Sequence, residues 1–189
     1  MKRLILLIFC LLFFSTSVQA KDSKDVLYQV STIDALLEGI YDSNYSFKEL
    51  KKHGNFGIGT VNNLDGELVG INGEFYQVKT DGVAYKVTDK QKTPFAVVTN
   101  FKKDKEINIK GKMNYAELTT YLNDKLPTSN IFYAIKIHGT FKTMKTRSVP
   151  KQEKPYPPLV EVVKDQSIFN LQNVTGTIIG FKCPSYEKG

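Results

Sequence analysis

The chain has 189 residues, 41% of them hydrophobic, two cysteines and a formal charge of +7 at neutral pH. Two cysteines exclude a disulfide-built scaffold and a thiolate metal cluster. The basic residues are interrupted by Asp104, Glu106 and Glu153, which argues for a solvated surface and against a nucleic-acid track, so no nucleic-acid partner is expected.

Met1-Lys2-Arg3, the apolar run 4–14 and the small-residue stretch 15–20 reproduce the charged, apolar and cleavage sections of a secretory signal peptide. The run is shorter than the roughly 20 residues a spanning helix needs. Export is therefore expected, with the mature chain starting near Lys21, no membrane association after cleavage and a secreted or envelope location. Cys10 belongs to the apolar run, because the bulky Phe9 stands where a small residue precedes a lipidated cysteine. Loss of Lys2 and Arg3 lowers the charge from +7 to +5, and Cys183 is left without an intramolecular disulfide partner. The remaining chain, 21–189, is long enough for one domain that buries about 70% of its unfolded surface.

After a polar arm at 21–25, residues 26–30 read as a short strand. Ser31-Thr32-Ile33-Asp34 opens a helix that Gly39 weakens and that Ile40 and Tyr41 could prolong. Ser46-x-x-Glu49 has capping-box spacing and predicts a second short helix ending at His53-Gly54. From 56 to 87 the pattern is one of short β runs. Asn72-Gly73 predicts a tight hairpin, Asp81-Gly82 a second turn, and 95–101 a buried strand.

Asn114-Tyr115-Ala116-Glu117 predicts a helix whose Tyr115, Leu118, Leu122 and Leu126 form a core-facing stripe. Residues 131–147 read as one long strand with a bulge near Gly139, 150–158 as an extended connector, 159–166 as a short helix and 174–181 as the last strand. Thr177, Ile178, Ile179 and Phe181 would leave that strand with an apolar edge, so a further segment is expected beside it. The fold class is α+β, with a mixed, mainly antiparallel β-sheet and a few short helices.

Taken alone, Glu67 at a strand start and Arg147 at a strand end are ordinary surface charges. His53 and His138 lie far apart beside glycines and do not form a ligand pair. Gly54-x-x-Gly57-x-Gly59 has the wrong spacing for a phosphate loop, and no nucleophile elbow is present. Pro155-x-Pro157-Pro158 reads as a rigid loop, and Asn44-Tyr45-Ser46 and Asn173-Val174-Thr175 match glycosylation sequons.

Two stretches change the weight of those charges. GIGTVNNLDGE at 57–67 and FYAIKIHGTFKTMKTRSVPKQEKPYPPL at 132–159, together with VLYQVSTIDALLEG at 26–39 and KTPFAVVTNF at 92–101, resemble the bacterial acetolactate decarboxylases along nearly the whole mature chain. The resemblance implies conversion of the small-molecule substrate 2-acetolactate to acetoin and carbon dioxide, using zinc and no thiamine cofactor. It implies catalytic roles for Glu67, in proton handling beside the metal, and for Arg147, in stabilising the carboxylate and developing anion. Thr60 and Leu64 match positions that shape the substrate pocket.

The chain departs from the family pattern after FKCPSYEKG. The family continues there into a Gly-x-His-x-His strand and a Gly-Gly-His segment with its zinc ligands and a second glutamate, so no metal ligand is assigned in this chain. The expectation is an incomplete, inactive decarboxylase, by truncation. The alternative is a non-enzymatic exported binding or structural protein derived from that fold, and a homodimer is a possible arrangement for either.

Overall fold

The computed structural model describes residues 25–184 and 186. The signal segment at 1–20 and the start at Lys21 lie outside the described residues. Twelve named elements follow in chain order: β1 Tyr28–Val30, α1 Ile33–Leu37, α2 Phe47–Leu50, β2 Phe56–Thr60, β3 Glu67–Ile71, β4 Glu74–Val78, β5 Ala84–Lys86, β6 Ala96–Thr99, α3 Tyr115–Lys125, β7 Tyr133–Ser148, α4 Leu159–Val162 and β8 Ser167–Lys182. Single 3-10 turns occupy Asn62–Leu64 and Val163–Asp165.

Strands β1 to β6 form one sheet in the order β1-β6-β2-β3-β4-β5, and β7 pairs with β8 in a separate ribbon. All of these pairings are antiparallel. The β3–β4 hairpin turns at Asn72-Gly73, both at positive φ (53° and 81°), which matches the right-handed twist of the flanking strands. Helix α2 starts on a complete capping box, with Ser46 and Glu49 each satisfying the other's backbone N–H. It buries Phe47 and Leu50 against Leu68, Phe75, Ala96 and Val98 of the sheet. Each fully buried phenylalanine there contributes about 1.5–3 kcal/mol.

Helix α1 begins at the Thr32 cap and does not reach Ile40 or Tyr41. Gly39 N–H donates to Leu36 O (3.1 Å) and Ile40 N–H to Ala35 O (3.0 Å), a Schellman closure that satisfies the last carbonyls and turns the chain away. Tyr41 then enters a second core cluster with Leu36, Leu64, Val149 and Val162. That cluster ties α1, the loop before β3, the end of β7 and α4 to one another.

Three sequence expectations need correction. No bulge occurs at Gly139. The β7–β8 register keeps one offset from Tyr133↔Lys182 to Ser148↔Ser167, interrupted only at Lys142 and Asn173, with Gly139 opposite Gly176, so neither strand gains a residue; the local distortion is at Asn173, at φ 50°. The last strand begins at Ser167, well before 174, because Ile168, Asn170 and Gln172 pair with Arg147, Lys145 and Thr143 despite their mixed polarity. The expected helix at 159–166 shortens correspondingly, to α4 and a 3-10 turn.

Helix α3 forms on its predicted Asn114–Glu117 capping box, but its stripe is not core. It carries no buried residue and Tyr115 is 85% exposed. Capping and propensity set where this helix starts, while burial of its apolar face depends on a neighbour that the described residues do not provide.

Candidate functional site

The chain leaves β2 at Thr60 and re-enters the sheet at Glu67, which pairs with Thr60 across the β2–β3 ladder. The loop between them cannot be made by ordinary backbone. Asn63, Leu64 and Gly66 all have positive φ (65°, 52° and 80°), so the surrounding hydrogen bonds must hold it. Thr60 Oγ1 donates to Gly66 O (2.6 Å), Asn63 N–H to Tyr41 O (2.8 Å) and Gln152 N–H to Asn63 O (2.8 Å), while Gln77 Nε2 donates to Asp65 O. Leu64 is buried in the second core cluster.

A side-chain chain backs this loop. Asn63 Nδ2 donates to Tyr156 Oη (2.6 Å), Tyr156 Oη donates to Asp42 Oδ1 (3.1 Å), and Lys154 Nζ lies 2.6 Å from Asp42 Oδ2. The Lys154 hydrogen bond, helped by Tyr156 and opposed by burial, holds the Asp42 carboxyl below the usual range. Tyr41 closes the same wall by donating to Pro157 O (2.9 Å). These contacts join residues more than ninety positions apart, fastening the 150–158 connector to the site loop.

Arg147 arrives from the ribbon. Its neighbour Ser148 is fully buried and donates its hydroxyl to Val78 O (2.8 Å), and Val78 is the cross-strand partner of Glu67. One hydrogen bond therefore docks the base of β7 against the strand pair that carries Glu67. Glu67 is half-buried; burial pushes its carboxyl up, and the Arg147 charge opposes that rise. An open pocket of about 360 Å³ lies beside Arg147, lined by Lys145, Thr146, Arg147, Gln166 and Ile168.

Of the four residues singled out in the sequence, the structure sets Glu67 and Arg147 close enough for their charges to interact. Thr60 and Leu64 are buried and support the loop, and the pocket beside Arg147 is lined by none of Thr60, Leu64 and Glu67. His53 stacks on Tyr28 (centroids 3.8 Å apart) and His138 shares a hydrogen bond with Thr177 (3.0 Å), both exposed and away from the site. Among the described residues, no group of three or more His, Cys, Asp or Glu comes together that could hold a metal ion. Sequence reasoning missed Ser148, Gln166 and the Asp42–Tyr156–Asn63 chain; Asn63, Ser148 and Tyr156 carried a signal, lying within the two stretches of the resemblance, and Asp42 and Gln166 carried none.

A half-buried carboxyl whose charge interacts with that of a guanidinium, where an antiparallel sheet meets a ribbon, defines an α+β protein with a site suited to a small organic anion. Residues 27–189 match the family model described as alpha-acetolactate decarboxylase. The chain belongs to that family. It is 49% identical over 170 residues to an alpha-acetolactate decarboxylase of Methanosarcina mazei, covering 90% of this chain and 59% of the relative. It is also 49% identical over 163 residues to one from Bacillus subtilis, covering 86% and 64%. The chain thus spans less than two thirds of the length of either relative. Its fold is similar to the crystal structure of the Bacillus subtilis strain 168 alpha-acetolactate decarboxylase, with a TM-score of 0.83 over 85% of this chain and 68% of that one.

Proposed function

We propose that the site serves the reaction its family name implies, loss of carbon dioxide from 2-acetolactate to give acetoin. The supporting observation is the half-buried Glu67 carboxyl beside Arg147. In this reading the Arg147 guanidinium pairs with the substrate carboxylate and orients it. When the carbon–carbon bond breaks, carbon dioxide leaves and the electron pair passes into the neighbouring ketone as an enediolate, whose charge Arg147 stabilises. Burial biases Glu67 toward its protonated form, which suits it to deliver a proton to the carbon that lost the carboxylate.

Zinc, expected from the family, finds no set of donors among the described residues. The steps assigned to this chain accordingly run through Glu67 and Arg147, and slow turnover is proposed for the chain by itself. The test is acetoin formation from racemic 2-acetolactate, with zinc content measured alongside, for the chain, Glu67→Gln and Arg147→Ala. Whatever rate the chain shows should fall by about 100-fold in each variant. Undiminished turnover in both refutes the assignment, and full turnover by the parent with stoichiometric zinc refutes the incomplete-site reading.

Export is proposed on the signal-like residues 1–20. Fractionation of producing cells with N-terminal sequencing checks it. Material outside the cytoplasm beginning near Lys21 is expected, and an intact Met1 in the cytosol refutes it.

A further inference from the structure

We propose that Gln166 reads the hydroxyl group of the ligand in the Arg147 pocket, accepting at Oε1 a hydrogen bond from a small 2-hydroxy acid whose carboxylate lies on Arg147 and Lys145. This rests on the substrate reading proposed above and adds a specificity-determining residue to it.

Strand alternation puts Lys145 and Arg147 on one face of β7, and the register sets Asn170 and Ile168 opposite them on β8. Gln166 comes next in that series, just before β8 begins, and shares the pocket wall with both cations. Its Oε1 is shielded from solvent and has no hydrogen-bond partner, the one such side-chain atom among the described residues. A polar atom buried without a partner is costly, and so uncommon that each case calls for a cause.

The chemistry of the wall narrows what that cause can be. Lys145 and Arg147 only donate hydrogen bonds, so they suit a carboxylate, which only accepts. A carboxylate cannot satisfy Oε1, which is itself an acceptor. A ligand that pairs with the cations and with Oε1 at once must carry an anionic group and a hydrogen-bond donor close together, and the hydroxyl of a 2-hydroxy acid, the substrate class proposed above, meets that need. The terminal torsion of glutamine is broad, so a modest rotation turns Oε1 toward the pocket at little expense. A volume of about 360 Å³ admits an acid of four or five carbons. A site built to bond a hydroxyl discriminates against the analogue that lacks it.

The probes are 2-hydroxy-2-methylpropanoate and 2,2-dimethylpropanoate, which differ by a hydroxyl in place of a methyl group. Each is titrated into the chain, Gln166→Met and Arg147→Ala, with binding followed by NMR shifts of the side-chain N–H groups. The parent should prefer the hydroxy acid by about 5- to 10-fold, Gln166→Met should lose the preference while still binding both acids, and Arg147→Ala should lose both. Without ligand, Gln166→Met should melt no lower than the parent, because it removes an unpartnered polar atom. Retained preference in Gln166→Met, no preference in the parent, or a lowered melting point in Gln166→Met overturns the assignment of Gln166, while loss of binding in Arg147→Ala leaves the carboxylate site standing. Binding of both acids unchanged in Arg147→Ala, or absent from the parent, overturns the carboxylate site and the Gln166 proposal with it.

Discussion

Gly66→Ala is the substitution whose effect the loop geometry determines most directly. Gly66 stands immediately before Glu67 at φ +80°, and a Cβ there would lie 2.3 Å from Val78 O. An unstrained carbon–oxygen approach is about 3.3 Å, so the carbonyl would have to retreat by about 1 Å. Val78 O cannot do so freely, since it accepts the buried Ser148 hydroxyl at 2.8 Å and its residue pairs with Glu67. The left-handed backbone adds about 1–2 kcal/mol for alanine, and loss of the buried hydrogen bond about 1–3 kcal/mol. The expected destabilisation is therefore about 2–5 kcal/mol.

Gly73→Ala separates the two effects. Gly73 has almost the same φ, +81°, with nothing within 4 Å of its would-be Cβ, so only the backbone cost of about 1–2 kcal/mol remains. Urea unfolding followed by far-ultraviolet circular dichroism reads both variants on one scale. Equal losses would refute the argument that Val78 O and Ser148 hold the ribbon against the site, because the contact would then contribute nothing beyond backbone strain.

Glu67 gives a pH prediction. Its folded carboxyl titrates above its unfolded one, so its contribution to stability is complete below the unfolded pKa, about 4.3, and is lost as the pH rises through the folded pKa. Glu67→Gln should accordingly gain on the parent as the pH is raised from about 4 to 7, and a stability difference that stays constant over that range refutes it. Arg147→Ala removes the charge that restrains the rise, so the Glu67 carboxyl should titrate higher still by carbon-13 NMR; an unchanged titration sinks the electrostatic link between them. Tyr156→Phe strips the acceptor from Asn63 Nδ2 and the donor from Asp42, and should cost about 1–3 kcal/mol with strong non-additivity toward Asn63→Ala. A loss within about 0.5 kcal/mol, the range of a surface change, would mean that the chain of hydrogen bonds does not brace the loop.

What the sequence discloses and what it hides divide along the range of the interactions. The Ser46–Glu49 and Asn114–Glu117 capping boxes and the Asn72-Gly73 turn are decided within four residues, and they form as expected. The β7–β8 pairing is decided by cross-strand register. Residues 167–172 fall outside the strand expected at 174–181 yet pair with 143–148, and Gly139, where a bulge is expected, lies opposite Gly176. The stripe on α3 has the right period and the wrong surroundings, since periodicity reports a face able to be buried and not whether anything buries it. Glu67 and Arg147 were legible through the family's motifs, whereas Ser148 owes its significance to a hydrogen bond across the sheet–ribbon junction and Gln166 to the pocket wall it shares with β7, which no local pattern records.

The two charged groups of the site also differ in how firmly they are held, and the difference follows from where the ribbon is anchored. A two-stranded ribbon of 16-residue strands reaches about 50 Å, and on its own such a ribbon is marginal in water. Its exposed residues include Ile168, Leu171 and Ile178, while Ser148 and Val149 at its base are buried. Val149 packs with Leu64 of the site loop and with Tyr41, whose hydroxyl in turn holds Pro157. Arg147 therefore sits next to a held end of β7, where opening requires the second core cluster to come apart, and β8 is held again at Phe181, which meets Phe56 of β2 edge-on with ring centroids 5.7 Å apart. Glu67 sits on the packed sheet, so the geometry between the two charges is set at the junction nearest to them: the Ser148–Val78 hydrogen bond, the core cluster that holds both Leu64 and Val149, and the Asn63–Tyr156 brace. A site built across that junction comes apart only when the second core cluster opens.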